Sequence, residues 1–126
     1  MGIRSTNKKI LYVDDAAFYR KAIAMLLNKN GFDVDTADQG LQALQMLENK
    51  KYDLVITDFE IPLMSGLELL LVLRHQYPKK ELPVITLTGN RDQETIQSFI
   101  QAETNAYVVK QNDLNPLLKK VLDILK

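Results

Sequence analysis

Cysteine is absent from the 126 residues, which excludes disulfides and thiolate metal sites and suits a reducing compartment. Charge of one sign is lacking too, because sixteen basic residues meet sixteen acidic ones. The chain therefore offers no electrostatic footprint for nucleic acid or for an anionic membrane surface. No apolar stretch reaches the roughly 18 residues needed to span a bilayer, and the N-terminus has no apolar export segment. A cytoplasmic protein without a membrane or nucleic-acid partner is the expectation. Glycine and proline are sparse, at five and four, and they punctuate the chain without forming a linker, repeat or low-complexity segment. Gly2 and Thr6 in "MGIRST" match the myristoylation pattern, but so loose a motif recurs by chance. Residues 1–7 read as a flexible polar lead-in, and 8–126 as one domain.

What is present is a core. Hydrophobic residues make up 46% of the chain, enough for a domain of this length to fold alone. Apolar runs and helical periodicity alternate from end to end. "KILYVDD", "YDLVITD" and "LPVITLTG" read as strands buried on both faces. "FDVDTA" alternates with a period of two, like a strand with one wetter face, and "AYVV" is a short final strand ending at Lys110. Between them lie helical stretches. Residues 16–30 carry Phe18, Ala22, Met25 and Leu26 at helical spacing and stop at Gly31. Residues 40–49 carry Leu41, Leu44 and Leu47, and residues 67–76 are apolar almost all round. Asp92 or Asn90 is placed to cap the next helix, with Ile96, Phe99 and Ile100 facing inward. The last helix shows Leu114, Leu117, Leu118, Val121, Leu122 and Leu125. Doubly apolar strands, each followed by a helix, predict an α/β fold: a five-stranded parallel sheet flanked by five helices.

In such a fold the site lies at the C-terminal strand ends. Asp14, Asp15, Asp58, Thr88 and Lys110 all stand where an apolar strand stops. Close carboxylates repel by about 4 kcal/mol per pair at an effective dielectric near 20. One aspartate could be a helix cap, but Asp14 and Asp15 cannot both be, and Asp58 comes from another strand. A hard divalent cation is the natural compensation, and Mg²⁺ takes a few carboxylate oxygens while leaving places for phosphate oxygens. An extra carboxylate and a lysine suit phosphoryl transfer onto Asp58.

"ILYVDD", "DLVITDFEIPLMSGLELL", "PVITLTG" and "AYVVK" together resemble the receiver domains of two-component response regulators, in the family's order and over nearly the whole chain. The resemblance implies a flavodoxin-like, doubly wound fold with strand order 2-1-3-4-5. It also implies that Asp58 takes a phosphoryl group from the phosphohistidine of a histidine kinase or phosphotransfer protein. Asp14, Asp15, Asp58 and the backbone carbonyl of Glu60 would hold Mg²⁺. Lys110 would contact the phosphoryl group, and Thr88 and Tyr107 would form the switch. The domain would assist only its own phosphorylation and dephosphorylation, and would control a downstream protein or a linked output domain. The family pattern also allows a homodimer through the fourth helix, last strand and last helix.

Two positions depart from that pattern. Gln111 stands where proline with a cis bond is usual, and a cis bond before glutamine would cost about 3 kcal/mol, so a trans bond is expected. Gly89 stands where alanine is also usual and leaves room beside the phosphoryl group. Glu60 should overhang the entrance and influence how water reaches the acyl phosphate. His75, the only histidine, reads as a solvent-facing residue near a helix end. Three other functions compete. An aspartate-nucleophile phosphatase wants a second aspartate where Glu60 stands. A phosphorylation-independent pseudo-receiver has only Gln111 in its favour. A flavin phosphate would be repelled by "DDAAF".

Overall fold

The computed structural model describes residues 7–89 and 92–125; Gly2, Thr6 and Asn90 lie outside them. Ten elements alternate along the chain: β1 (Lys9–Val13), α1 (Ala17–Lys29), β2 (Asp33–Ala37), α2 (Gly40–Asn49), β3 (Leu54–Asp58), α3 (Gly66–Gln76), β4 (Val84–Thr88), α4 (Gln93–Gln101), β5 (Ala106–Val109) and α5 (Asn115–Leu125). The strands form one parallel sheet in the order β2-β1-β3-β4-β5, the flavodoxin-like arrangement that the sequence leads one to expect. All of β3 and β4 and most of β1 are buried, which is why they read as unbroken apolar runs.

Alternate residues of each strand feed two cores. Leu11, Val13 and Val55 pack with Ala43, Leu69, Leu70, Leu73 and Phe99 on one face. Ile10, Tyr12, Leu54, Ile56, Ile85 and Leu87 pack with Ile23, Leu27, Leu117 and Val121 on the other. Helices α2, α3 and α4 thus cover one face, and α1 and α5 cover the other. The register sets Val13 against both Ala37 and Thr57, Asp58 against Leu87, and Thr88 against Val109. The strands therefore end along a common edge.

Helix rotations correct four of the expected inward faces. In α1, Phe18 is 75% and Met25 61% exposed, while Ile23 and Leu27 are buried. The helix carries two overlapping apolar stripes one residue apart. The one that faces the sheet is Tyr19–Ile23–Leu27, because Tyr19 packs into the core below and Arg20 reaches back to the Asp14 carbonyl at 2.7 Å. In α2, Leu41 is exposed and Gly40 and Ala43 are buried. A Cβ at Gly40 would lie 2.9 Å from Met64 Sδ, so the small residues take the contact face. Ile100 of α4 and Leu122 of α5 are likewise exposed, beside the buried Phe99 and Val121.

Ordinary capping starts α3 and α4. Ser65 and Glu68 form a capping box, and the Asp92 carboxylate accepts from the Thr95 N–H at 3.2 Å. His75 is exposed in the last turn of α3. Among the described residues no peptide bond is cis, so the Lys110–Gln111 bond is trans as expected. No helix among them is long and apolar enough to cross a membrane.

Candidate functional site

β1 and β3 are neighbours that end at the same level, so Asp14 and Asp58 meet although they lie far apart in the chain. Carboxylate oxygens of Asp14, Asp15 and Asp58 all lie within 4.8 Å of one another. With Ala16, Glu60, Gly89 and Lys110 they line a cleft of about 340 Å³. Asp14 is fully buried, Asp58 is 7% exposed, and Asp15 faces solvent.

Lys110 follows β5 and reaches across this edge. Its Nζ lies 2.7 Å from Asp14 Oδ2 and 3.2 Å from Asp58 Oδ2, while its main-chain N–H donates to the Thr88 carbonyl at 2.7 Å. Both oxygens of Asp14 are engaged. Oδ1 accepts from the Ala16 N–H at 2.9 Å, and Oδ2 accepts from the Tyr12 hydroxyl as well as from Lys110. Asp58 Oδ1 accepts its neighbour's N–H, that of Phe59, at 2.9 Å.

The electrostatics follow from this geometry. Burial, then the charge of Asp14, pushes the Asp58 carboxyl up to about 6; Lys110 and the Phe59 N–H offset only part of the rise. Burial would lower the Lys110 pKa, but the hydrogen bond to Asp14 and the charges of Asp58 and Asp14 prevail and raise it. The lysine thus remains a cation, shared between acids and held closer to Asp14. Burial, reinforced by Asp14, also drives the Tyr12 hydroxyl well above the usual phenol range, so it stays a donor.

The β3–α3 loop fixes Asp58 from behind. A Cβ on Gly66 would lie 2.2 Å from the Asp58 carbonyl oxygen, and the Gly66 N–H donates to the Phe59 carbonyl at 2.8 Å. Glycine is required there for close approach. The loop's left-handed residue is instead Leu63, at φ 69°.

Thr88 is buried at the end of β4, just behind the cleft wall at Gly89. A Cβ on Gly89 would meet nothing within 4 Å, so the wall is open at that point. Tyr107 is not part of the cleft lining. Its ring packs on Phe99 with centroids 5.6 Å apart, and Phe99 in turn meets Phe59, beside Asp58, at 5.4 Å. Thr86 belongs to the sheet interior, its hydroxyl 3.1 Å from that of Thr104.

Sequence reasoning missed Tyr12 and Tyr19. Tyr12 stands two residues before Asp14, and positions i and i+2 of a strand share a face, so the spacing contained the signal. Tyr19 lies under Lys110, with Nζ 3.9 Å from its ring centroid. The donor set of the cleft is all oxygen and rich in carboxylate, which suits a hard divalent cation such as Mg²⁺ and not a soft one.

Comparison with known proteins agrees in sequence and in shape. Residues 10–122 match the family model described as the response regulator receiver domain. The chain is 40% identical to the chemotaxis protein CheY-3 of Vibrio cholerae over 86% of its own length and 84% of that protein's. It is 37% identical to the chemotaxis protein CheY of Pseudomonas aeruginosa, covering 94% of this chain and 96% of that one. The crystal structure of the response regulator TrrA from Thermotoga maritima, in complex with Mg²⁺-BeF, superimposes with a TM-score of 0.84 at 34% identity, covering 93% of this chain and 98% of that one.

Proposed function

The chain belongs to the response regulator receiver domain family, and on that premise we propose that it is a phosphoacceptor switch in which Asp58 receives a phosphoryl group from a phosphohistidine. The observation that carries this reading is the placement of Asp58. It is a strand-end carboxylate in an acidic cleft, held by a lysine and opposite two further aspartates.

A carboxylate oxygen of Asp58 attacks phosphorus, the P–N bond to the donor imidazole breaks, and an acyl phosphate forms. The bond's electron pair leaves with the donor nitrogen, which becomes neutral imidazole after protonation. The transition state is loose, so the protein acts mainly by positioning and by balancing charge. Asp14, Asp15, Asp58 and the Glu60 backbone carbonyl would hold Mg²⁺, which when bound neutralises charge on the phosphoryl oxygens. Lys110 contributes the protein's own fixed cation to those oxygens. Gly89 keeps the adjoining wall open, and Glu60 stands exposed at the mouth, where it influences the approach of water.

Phosphorylation adds about two negative charges at the cleft. The Thr88 hydroxyl moves toward them, and Tyr107 turns inward, which requires its contact with Phe99 to repack. The Phe59–Phe99–Tyr107 chain links the residue after Asp58 to α4 and β5. The changed surface of α4, β5 and α5 is then read by a downstream protein, an output domain or a second copy. The chain does not turn over a substrate. A histidine kinase or phosphotransfer protein in the cytoplasm supplies the phosphoryl group.

The test is incubation with Mg²⁺ and a small acyl-phosphate donor, followed by intact mass. The wild type should gain one phosphoryl group, and Asp58→Ala should gain none. Uptake that survives the substitution overturns the assignment of Asp58.

A further inference from the structure

Lys110 is held by the sheet on one side only. Its main chain is anchored by the hydrogen bond to Thr88, but residues 111–113, which follow, are exposed and belong to no strand or helix. The ammonium sits on a flexible four-carbon stem and is strongly hydrated when free. Asp14 and Asp58 attract it from the sheet side. Its other side lies against the face of Tyr19, with Nζ 3.9 Å from the ring centroid. A cation at this distance over an aromatic face is attracted by the ring quadrupole, more strongly where water is excluded, and the Lys110 side chain is only 12% exposed.

The ring itself is well fixed. Tyr19 lies on the α1 stripe that carries Ile23 and Leu27 into the core. Phe18 meets it edge-on, with centroids 5.5 Å apart. Beyond it, Tyr19 lines a small crevice with Ala22, Gln111 and Leu114, so it also faces the segment that leaves Lys110.

We propose that Tyr19 is a positioning residue for phosphoryl transfer: its ring holds the Lys110 ammonium at the cleft while the lysine exchanges a carboxylate partner for phosphoryl oxygens. The proposal rests on the phosphoacceptor reading of Asp58. The ring acts through its face, because cation–π attraction does not require the hydroxyl. Tyr19→Phe should therefore preserve the function and Tyr19→Leu should lose it. A wrong lysine position of this kind slows transfer without emptying the acidic seat.

The experiment compares the full-length wild type, Tyr19→Phe and Tyr19→Leu in three measurements. These are the rate of phosphoryl uptake from a small acyl phosphate, Mg²⁺ affinity by titration, and the NMR shifts of the Lys110 ε-methylene protons. Tyr19→Leu should slow uptake by about tenfold, with Tyr19→Phe near the wild-type rate and Mg²⁺ affinity unchanged in all three. The Lys110 protons should lie upfield, shifted by the ring current, in the wild type and Tyr19→Phe, and return to ordinary positions in Tyr19→Leu. Equal rates for leucine and wild type, a phenylalanine variant as slow as leucine, or unshifted Lys110 protons in the wild type would each overturn the proposal. So would a loss of Mg²⁺ affinity in Tyr19→Leu, which would make the defect one of the metal seat. If the wild type takes up no phosphoryl group, the reading of Asp58 fails. The proton shifts then still decide whether the ring holds the lysine.

Discussion

The molecule contains two clusters built from the same three side-chain types. At the edge strand β2, Asp35 accepts from Lys50 at 2.8 Å and from the Tyr52 hydroxyl at 2.6 Å, and the Lys50 ammonium lies 5.7 Å from the centre of the Tyr52 ring. At the cleft, Asp14 accepts from Lys110 and from the Tyr12 hydroxyl, and Lys110 lies over Tyr19. The β2 cluster even opens on the larger crevice, about 610 Å³ against 340 Å³. Charge balance is what separates them. One acid meets one base at β2, and the Lys50 and Tyr52 hydrogen bonds hold Asp35 below the usual carboxylate range. At the cleft three carboxylates converge while Lys110 pairs with two of them, Asp14 and Asp58, and burial with the Asp14 charge lifts Asp58 to about 6. A satisfied cluster holds a fold together. An acid surplus, kept in place by the strands beneath it, is poised to take a cation or an electrophile.

Removing the lysine from each cluster should break the comparison most sharply. Lys110→Ala leaves a buried, hydrogen-bonded Asp14 and a nearly buried Asp58 without their cation. Loss of one partner from a buried pair costs about 3–5 kcal/mol, and urea melts of the metal-free protein at neutral pH should show it. Phosphoryl uptake should fall by about 100-fold or more, since a fixed charge at the transferring group is gone. Lys50→Ala removes a surface partner that water replaces. Its melting midpoint and uptake rate should stay close to the wild type.

The two acids should also give opposite responses to pH. Asp58 titrates near 6 when folded, against 3.8 as the ordinary value. Between those values the folded state retains a proton that the unfolded state has lost, so stability falls as pH rises from about 4 to 6. The linked change is about 3 kcal/mol, and Asp58→Asn should abolish it in the metal-free protein. Asp35 has a lowered pKa when folded. Its contribution is present above the ordinary carboxylate pKa and is lost as pH falls through the folded value. Asp35→Asn should therefore remove stability at neutral pH and flatten the acid limb. Denaturant midpoints measured from pH 3 to 8 on both variants check the two signs, and slopes of the same sign would remove the distinction.

The cleft acids were legible because of how a parallel sheet is built. Its inner strands are buried on both faces and read as unbroken apolar runs, so a polar residue at the last position stands out. Asp14, Asp58 and Thr88 carry that mark, and Lys110 stands where the short apolar run of the edge strand β5 stops. Helix rotation carries no such mark. Phe18–Ala22–Met25 and Ile23–Leu27 are both valid stripes, and the choice between them depends on Tyr19 and Arg20 docking at the cleft, which is a three-dimensional fact. Leu41, Ile100 and Leu122 failed for the same reason: apolar periodicity counts candidates, while the contact face goes to residues whose size fits the gap, such as Gly40 and Ala43. The tyrosines were hidden differently. In a pattern of apolar positions Tyr12 and Tyr19 count as core: only the two-residue spacing of Tyr12 from Asp14 signals a shared face, and nothing in the pattern says where the Tyr19 ring face points.

Those hydroxyls give the finest form of the comparison. Tyr12→Phe and Tyr52→Phe delete the same atom from the same kind of hydrogen bond. Tyr12 serves a carboxylate with no access to solvent, so no water takes the lost donor's place, and among the described residues Asp14 keeps Lys110 and the Ala16 N–H. Hydrogen bonds to buried charges contribute about 1.5–3 kcal/mol, and a destabilisation in the lower part of that range is expected for Tyr12→Phe. The Asp35 side chain remains 32% exposed and keeps Lys50, so water can replace the Tyr52 hydroxyl and the loss should stay below about 1 kcal/mol. Thermal melts of the two variants decide the order. A Tyr52→Phe effect equal to or larger than that of Tyr12→Phe would mean that burial does not distinguish the clusters, leaving charge surplus alone to do so.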